Sequence, residues 1–162
     1  MNKIRPVRFT LFDSPVGQLL LTGRNRLESI AFPQSTHRME PEENWQADPD
    51  FFRPVSDQLS AYFNGRLTRF DVDMELIGTE FQKKVWHALA QVPYGTTLSY
   101  GELAGQIGNP NASRAVGMAN GKNPIPIIIP CHRVIGKNGS LTGFGGGLSV
   151  KQSLLRLEGV RL

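Results

Sequence analysis

Apolar and polar positions alternate from Val7 onward. In VRFTLFDSPVGQLLLTG they describe two strands around the turn Asp13-Ser-Pro-Val-Gly17, and RLESIAFP follows as a third with the same period of two. Residues 34 to 53 keep no clean period, hold two prolines and an acidic run, and read as a surface connection. Pro54 at a first-turn position, then Val55, Leu59, Tyr62 and Phe63 with Gly65 just beyond, predict an amphipathic helix. FDVDMELIG reads as a short extended segment.

The period changes from residue 78. Thr79 with Gln82 forms a capping-box pattern, and Phe81, Val85, Ala88, Leu89 and Val92 share one helical face until Pro93-Tyr94-Gly95 stops it. Tyr100, Leu103, Ala104 and Ile107 predict a second short helix, Gly108-Asn109-Pro110-Asn111 a turn, and Ala112, Ala115, Val116 and Ala119 a third helix. Helix, glycine-containing turn and helix give the outline of a helix-turn-helix. On the third helix Arg114, Gly117, Met118 and Gly121 form the stripe opposite the small apolar residues. Glycines there let another backbone come close, which suits DNA and a packed helix equally.

NPIPIIIPCHRVIG contains the only cysteine of the chain. The isoleucine run 127–129 predicts a buried strand flanked by prolines, with Cys131 at its end. A lone cysteine is commonly a small core residue. Here His132 and Arg133 follow directly, and such groups favour the thiolate, the reactive form. On a strand adjacent side chains point to opposite faces, so contact between Cys131 and His132 requires a turn or a bridging water. Five glycines between 139 and 147 make a tightly turning loop. Ser149 with Gln152 then predicts a capping box for a last helix closed by Gly159, which leaves Glu158 at the helix end where the macrodipole disfavours a carboxylate.

Composition narrows the function classes. Hydrophobic residues make up 40% of the 162, which suits a globular chain. With neither an apolar run of about 20 residues nor a signal-peptide pattern, a soluble cytoplasmic protein is expected. A single cysteine excludes an internal disulfide and a Cys-rich zinc site. The net charge of +4 conceals an imbalance: residues 1 to 80 carry 9 Lys+Arg against 12 Asp+Glu, and residues 81 to 162 carry 9 against 2. The basic half is a candidate surface for a polyanion such as nucleic acid. At this point a helix-turn-helix transcription factor with a structural cysteine, or a cysteine hydrolase using Cys131 and His132, still competes with other readings.

RAVG, the N-P-x-P segment, PCHRVIG, the glycine-rich loop and LLRLEG, in this order within residues 98 to 159, resemble the O6-alkylguanine-DNA alkyltransferases. That resemblance implies an α+β chain: a small N-terminal β/α, RNase H-like domain over residues 1–76, and a mainly helical DNA-binding and alkyl-transfer domain with a helix-turn-helix over 77–162. It implies irreversible, single-use transfer of an alkyl group from O6 of guanine, and from O4 of thymine, to Cys131. His132, through a water, and Glu158 would form the relay that lowers the thiol's pKa. Tyr100 would donate a proton to the leaving guanine, and Asn123 would be the hinge between the helix-turn-helix and the active-site strand. Arg114 would replace the extruded base, while Ala115, Gly117, Met118 and Tyr100 face the minor groove of double-stranded DNA. Phe144, Gly145, Gly146, Val134, Lys151 and Arg133 would surround the substrate, Lys151 adding positive potential near the thiolate.

Departures from the family pattern also carry expectations. Phe144 and Gly145 stand where members often have tyrosine and serine, so hydroxyl contacts are lost there and a wider wall would admit groups larger than methyl. With no second cysteine, neither zinc nor another cofactor is expected. Cys131 excludes the branch that carries tryptophan at the acceptor position. A monomer without membrane contact completes the expectation.

Overall fold

The computed structural model describes residues 5–35, 40–141, 144 and 146–162. Strand β1 (Arg8–Ser14) pairs antiparallel with β2 (Gly17–Gly23), and β2 pairs antiparallel with β3 (Leu27–Ala31). The hairpin is tight because Ser14 folds its side chain over the turn: its Oγ donates to Gly17 O at 2.6 Å and accepts from Val16 N at 3.2 Å. Leu19, Leu20 and Leu21 are all buried, so β2 is covered on both faces. The connection at 34–53 is not wholly irregular. Gln46–Ala47 forms β4, parallel to β1, through Gln46 N to Val7 O at 2.8 Å and Asp48 N to Phe9 O at 2.9 Å. Main-chain pairing over two residues needs no side-chain period, which is why the pattern did not reveal it. The sheet order is β3-β2-β1-β4.

Helix α1 (Arg53–Phe63) starts with Pro54 in its first turn and buries Val55, Leu59 and Tyr62. It ends in a Schellman arrangement, with Gly65 at φ 73 and Arg66 N on Ala61 O at 2.8 Å. The chain then runs extended beside β3, Glu75 N donating to Leu27 O at 2.9 Å. Helix α2 (Glu80–Ala90) has the expected Thr79–Gln82 capping box and buries Trp86 as well as Val85 and Leu89. Trp86 Nε1 donates to Ala119 O at 2.8 Å and so fastens α2 to α4 (Ser113–Gly121).

Strand β5 (Leu98–Ser99) leads into α3 (Tyr100–Gln106), capped by a reciprocal Ser99–Glu102 box. Gly108 at φ 80 ends α3, and residues 109–112 turn the chain into α4. Val116, Ala119 and Asn120 are the buried positions of α4; Ala115, expected on its apolar side, is exposed. Strand β6 (Val134–Ile135) pairs parallel with β5, and α5 (Leu148–Leu157) closes the fold. Among the described residues, mixed sheet and five α-helices match the expected α+β class. No helix among the described residues is long and apolar enough to cross a membrane.

Two expected elements are replaced. The isoleucines before Cys131 are buried, yet they form no strand: Ile129 N closes a turn on Ile125 O at 2.9 Å, and Ile127 has φ 75. Prolines at 124, 126 and 130 have no N–H to contribute to a ladder. Ser149 does not cap α5. Gly147, at φ 97, precedes the helix and Lys151 N bonds to Gly147 O at 3.2 Å, which puts Ser149 inside the first turn.

Candidate active site

Asn123 organises the segment that delivers the thiol. Its Oδ1 accepts from Ile125 N at 3.0 Å and its Nδ2 donates to Ile129 O at 2.7 Å, so one side chain ties both ends of the turn containing Ile127. A β-branched residue at positive φ costs energy and persists only when its surroundings hold it. The Asn123 clamp is one hold. Another comes from the sheet, where Ile30 N of β3 donates to Pro124 O at 2.9 Å.

Pro130 then makes an inverse γ-turn, with φ −81, ψ 65 and Cys131 N on Ile129 O at 2.8 Å. Cys131–Arg133 follows as one 3-10 turn. This turn separates Cys131, which faces a cavity, from His132 and Arg133, which both reach the Glu158 carboxylate. Cys131 lines a cavity of about 480 Å3, with Asn120, Asn123, Pro126, Phe144, Gly146 and Phe32 also on its wall. Gly146 is required where it stands, since a Cβ would lie 2.7 Å from the Phe32 ring and 2.9 Å from that of Phe144. Those rings meet edge to face at 5.4 Å. Gly145 lies outside the described residues, and with it the expected widening of the wall.

His132 is fully buried and meets Glu158 Oε2 through Nε2 at 2.6 Å. Arg133 does not line the cavity with Cys131. Its Nε donates to Glu158 Oε1 at 2.8 Å, its Nη2 to Oε2 at 3.0 Å and its Nη1 to Val92 O at 2.6 Å. Val134 and Lys151 are likewise buried off that wall, Lys151 Nζ donating to Val134 O at 2.6 Å. Glu158 sits at the end of α5, as expected, with its carboxylate turned inward to meet donors. Besides Arg133, two further donors lie outside the sequence pattern: Tyr62 OH donates to Oε2 at 2.6 Å and Gly95 N to Oε1 at 3.2 Å. The macrodipole penalty is thereby outweighed by charge-assisted hydrogen bonds.

The protonation states follow from these partners. Burial alone would raise the Glu158 carboxyl, but donors from His132 and Arg133 hold it down to about 2. The His132 imidazole is pushed below its ordinary value by burial, with the charges of Arg133 and Lys151 adding to the effect and Glu158 opposing it. A carboxylate facing Nε2 fixes the proton there and leaves Nδ1 as an acceptor, and Nδ1 is buried without a hydrogen-bond partner. Burial raises the Cys131 thiol to about 11, against the opposing effects of the Asn123 side chain and the Lys151 charge. The resting pair is therefore a thiol and a neutral imidazole.

A second surface differs in character. Arg114, Ala115, Met118 and Gly121 are exposed along α4 and Lys122 just beyond its end, and Met118 is 72% exposed. Tyr100, at the first position of α3, lays its ring 3.7 Å from where a Gly117 Cβ would be. Among the described residues there is no cluster of three His, Cys, Asp or Glu placed to hold a metal ion.

Residues 7–76 match the model for the 6-O-methylguanine DNA methyltransferase, ribonuclease-like domain, and residues 80–160 that for the DNA binding domain of the same family. The methylated-DNA–protein-cysteine methyltransferase of Methanosarcina acetivorans is 53% identical over 152 residues, spanning 93% of this chain and 97% of that one. Its namesake from Mycobacterium bovis is 52% identical over 159 residues, covering 94% and 92%. The crystal structure of Mycobacterium tuberculosis OGT in complex with DNA superposes with a TM-score of 0.84 at 53% identity, over 94% of this chain and 91% of that one. Matched over nearly its whole length, and with a single thiol presented to a cavity beside a buried His–Glu pair, the chain belongs to the 6-O-methylguanine DNA methyltransferase family.

Proposed function

We propose that this chain is a DNA-repair methyltransferase that moves an alkyl group from O6 of guanine, and from O4 of thymine, onto Cys131. The observation that carries the proposal is Cys131 on the wall of a cavity, with His132 Nδ1 free to accept and His132 Nε2 held by Glu158. In the reaction the Cys131 proton passes through a water to His132 Nδ1, and Glu158 stabilises the imidazolium. Sulfur then attacks the alkyl carbon in line with the C–O bond: an S–C bond forms, the C–O bond breaks, and its electron pair stays on the base. Tyr100 donates a proton to that base. The product thioether has no route back, so each molecule acts once.

A target atom inside a stacked duplex is out of reach, so the nucleotide is flipped out at a cost of a few kcal/mol. Helices α3 and α4 act as a helix-turn-helix on the minor groove, with Ala115, Gly117 and Met118 against the groove and Arg114 filling the space the base leaves. Asn123 is the hinge between α4 and Cys131. The division into functional parts falls between residues 76 and 77, and the protein works as a cytoplasmic monomer without cofactor.

The test is intact-protein mass after incubation with a duplex holding one O6-methylguanine. One methyl per wild-type molecule, absent in Cys131→Ser, is the expected result. An unchanged mass with the lesion intact would leave only a DNA-binding protein.

A further inference from the structure

Glu158 has more donors than orienting His132 requires. Tyr62 OH, Gly95 N, His132 Nε2 and both Nε and Nη2 of Arg133 all point at its two oxygens. Tyr62 belongs to α1, 96 residues earlier in the chain, and is fully buried. Its hydroxyl shares Oε2 with His132, each at 2.6 Å. Burial and the neighbouring Glu158 push the phenol's pKa well above its ordinary value, so Tyr62 stays a donor at any working pH.

Three charged groups act on the His132 proton. Arg133, beside it on the same turn, and Lys151 of α5 disfavour the imidazolium; Glu158 alone favours it. Tyr94 flanks this cluster on two sides, its ring centre 5.8 Å from the Arg133 guanidinium and 6.2 Å from the Tyr62 ring. The state of His132 therefore depends on how much of Glu158's charge remains for it. A carboxylate oxygen that already accepts a short hydrogen bond attracts a second donor less strongly.

We infer that Tyr62 is a positioning residue that mutes Glu158, so that His132 stays neutral and Cys131 stays a thiol until a substrate is seated. This rests on the relay proposed above. An acceptor used once is wasted by any stray electrophile, and an inert resting thiol prevents that loss. The N-terminal part of the chain thus sets the reactivity of a cysteine that it does not carry.

Tyr62→Phe removes the hydroxyl and keeps the ring. Reaction of the full chain with iodoacetamide, followed by intact mass without DNA, reports on Cys131 alone because there is no other cysteine. Expected is faster alkylation at neutral pH, with the His132 imidazole titration, read by NMR, moved up by about one pH unit. Unchanged or slower alkylation with an unmoved titration would overturn the inference and leave Tyr62 a packing residue. 3-Fluorotyrosine at position 62, a stronger donor of nearly the same shape, should move both readouts the opposite way. A shift in the same direction as Tyr62→Phe would also overturn it, and this second variant decides the matter if Tyr62→Phe fails to fold. Failure of the repair proposal shows separately, as no methyl transfer from an O6-methylguanine duplex to the wild type.

Discussion

The neighbourhood of Glu158 and the outer face of α4 are built on opposite rules. Around Glu158 both carboxylate oxygens are occupied, the arginine is neutralised, and His132 and Glu158 are out of reach of solvent. On α4 and at its C-terminal end, a cation at 114, a thioether at 118 and a cation at 122 all stand in solvent. Burial makes charge expensive unless it is paired, so the proposed relay of His132 and Glu158 is oriented in advance. A surface meant for a long polyanion gains from the reverse: its charges stay hydrated until counterions are displaced. Geometry is settled in advance in one region, while the other, the proposed DNA face, keeps its charges in solvent.

Glu158→Gln attacks the buried side and should have the largest effect. Removing the charge leaves Arg133 buried beside a neutral amide, which costs about 3 to 5 kcal/mol of stability in chemical denaturation. Alkyl transfer should fall about a hundredfold, measured as the single-turnover rate on an O6-methylguanine duplex. The acid limb offers a sharper reading. With its folded pKa near 2 against an ordinary 4.5, Glu158 contributes stability that is present above 4.5 and lost as pH falls towards 2. His132, also depressed, adds a loss in the same direction below 6.5. Glu158→Gln should keep only the second component, so its stability declines less steeply between pH 4.5 and 2; an equally steep decline would show that the carboxylate is not held down in the folded state.

Arg114→Ala comes next and acts on the open side. Transfer from a duplex should slow strongly while transfer from free O6-benzylguanine is kept, because a free base needs no extrusion. Equal losses on both substrates would remove Arg114 from base replacement.

The smallest effects separate charge from apolar contact within α4. Lys122→Ala should reduce the slope of log K against log salt by about one, whereas Met118→Ala should weaken binding without altering the slope. A slope change for Met118→Ala would mean that the substitution disturbs the helix and its cations rather than an apolar contact.

Several of these features were legible in local sequence. Thr79 with Gln82, and Gly65, Gly108 and Gly159 at helix ends, act through atoms three to five residues away, so the caps stand where the pattern predicts them. PCHRVIG marked the thiol for a similar reason, since the γ-turn at Pro130 and the 3-10 turn after it are built from adjacent residues. The errors also have local causes. Three consecutive isoleucines suggest a strand by propensity, but prolines deny them a ladder and Asn123 folds them into a turn. Ser149 had the right spacing for a cap, and Gly147 took the boundary because its positive φ ends the loop there.

Composition and local chemistry alone thus determined one cysteine beside a histidine, a basic second half and a helix pair, because each depends on residues close together in the chain. Tertiary structure decided which groups that thiol would answer to. Arg133 was expected at the substrate and instead clamps Glu158; Tyr62 gave no sign of leaving its own helix for a carboxylate 96 residues away. Such choices arise when burial removes water and a carboxylate must find donors among whatever side chains the packing brings within reach, a condition no period or spacing encodes.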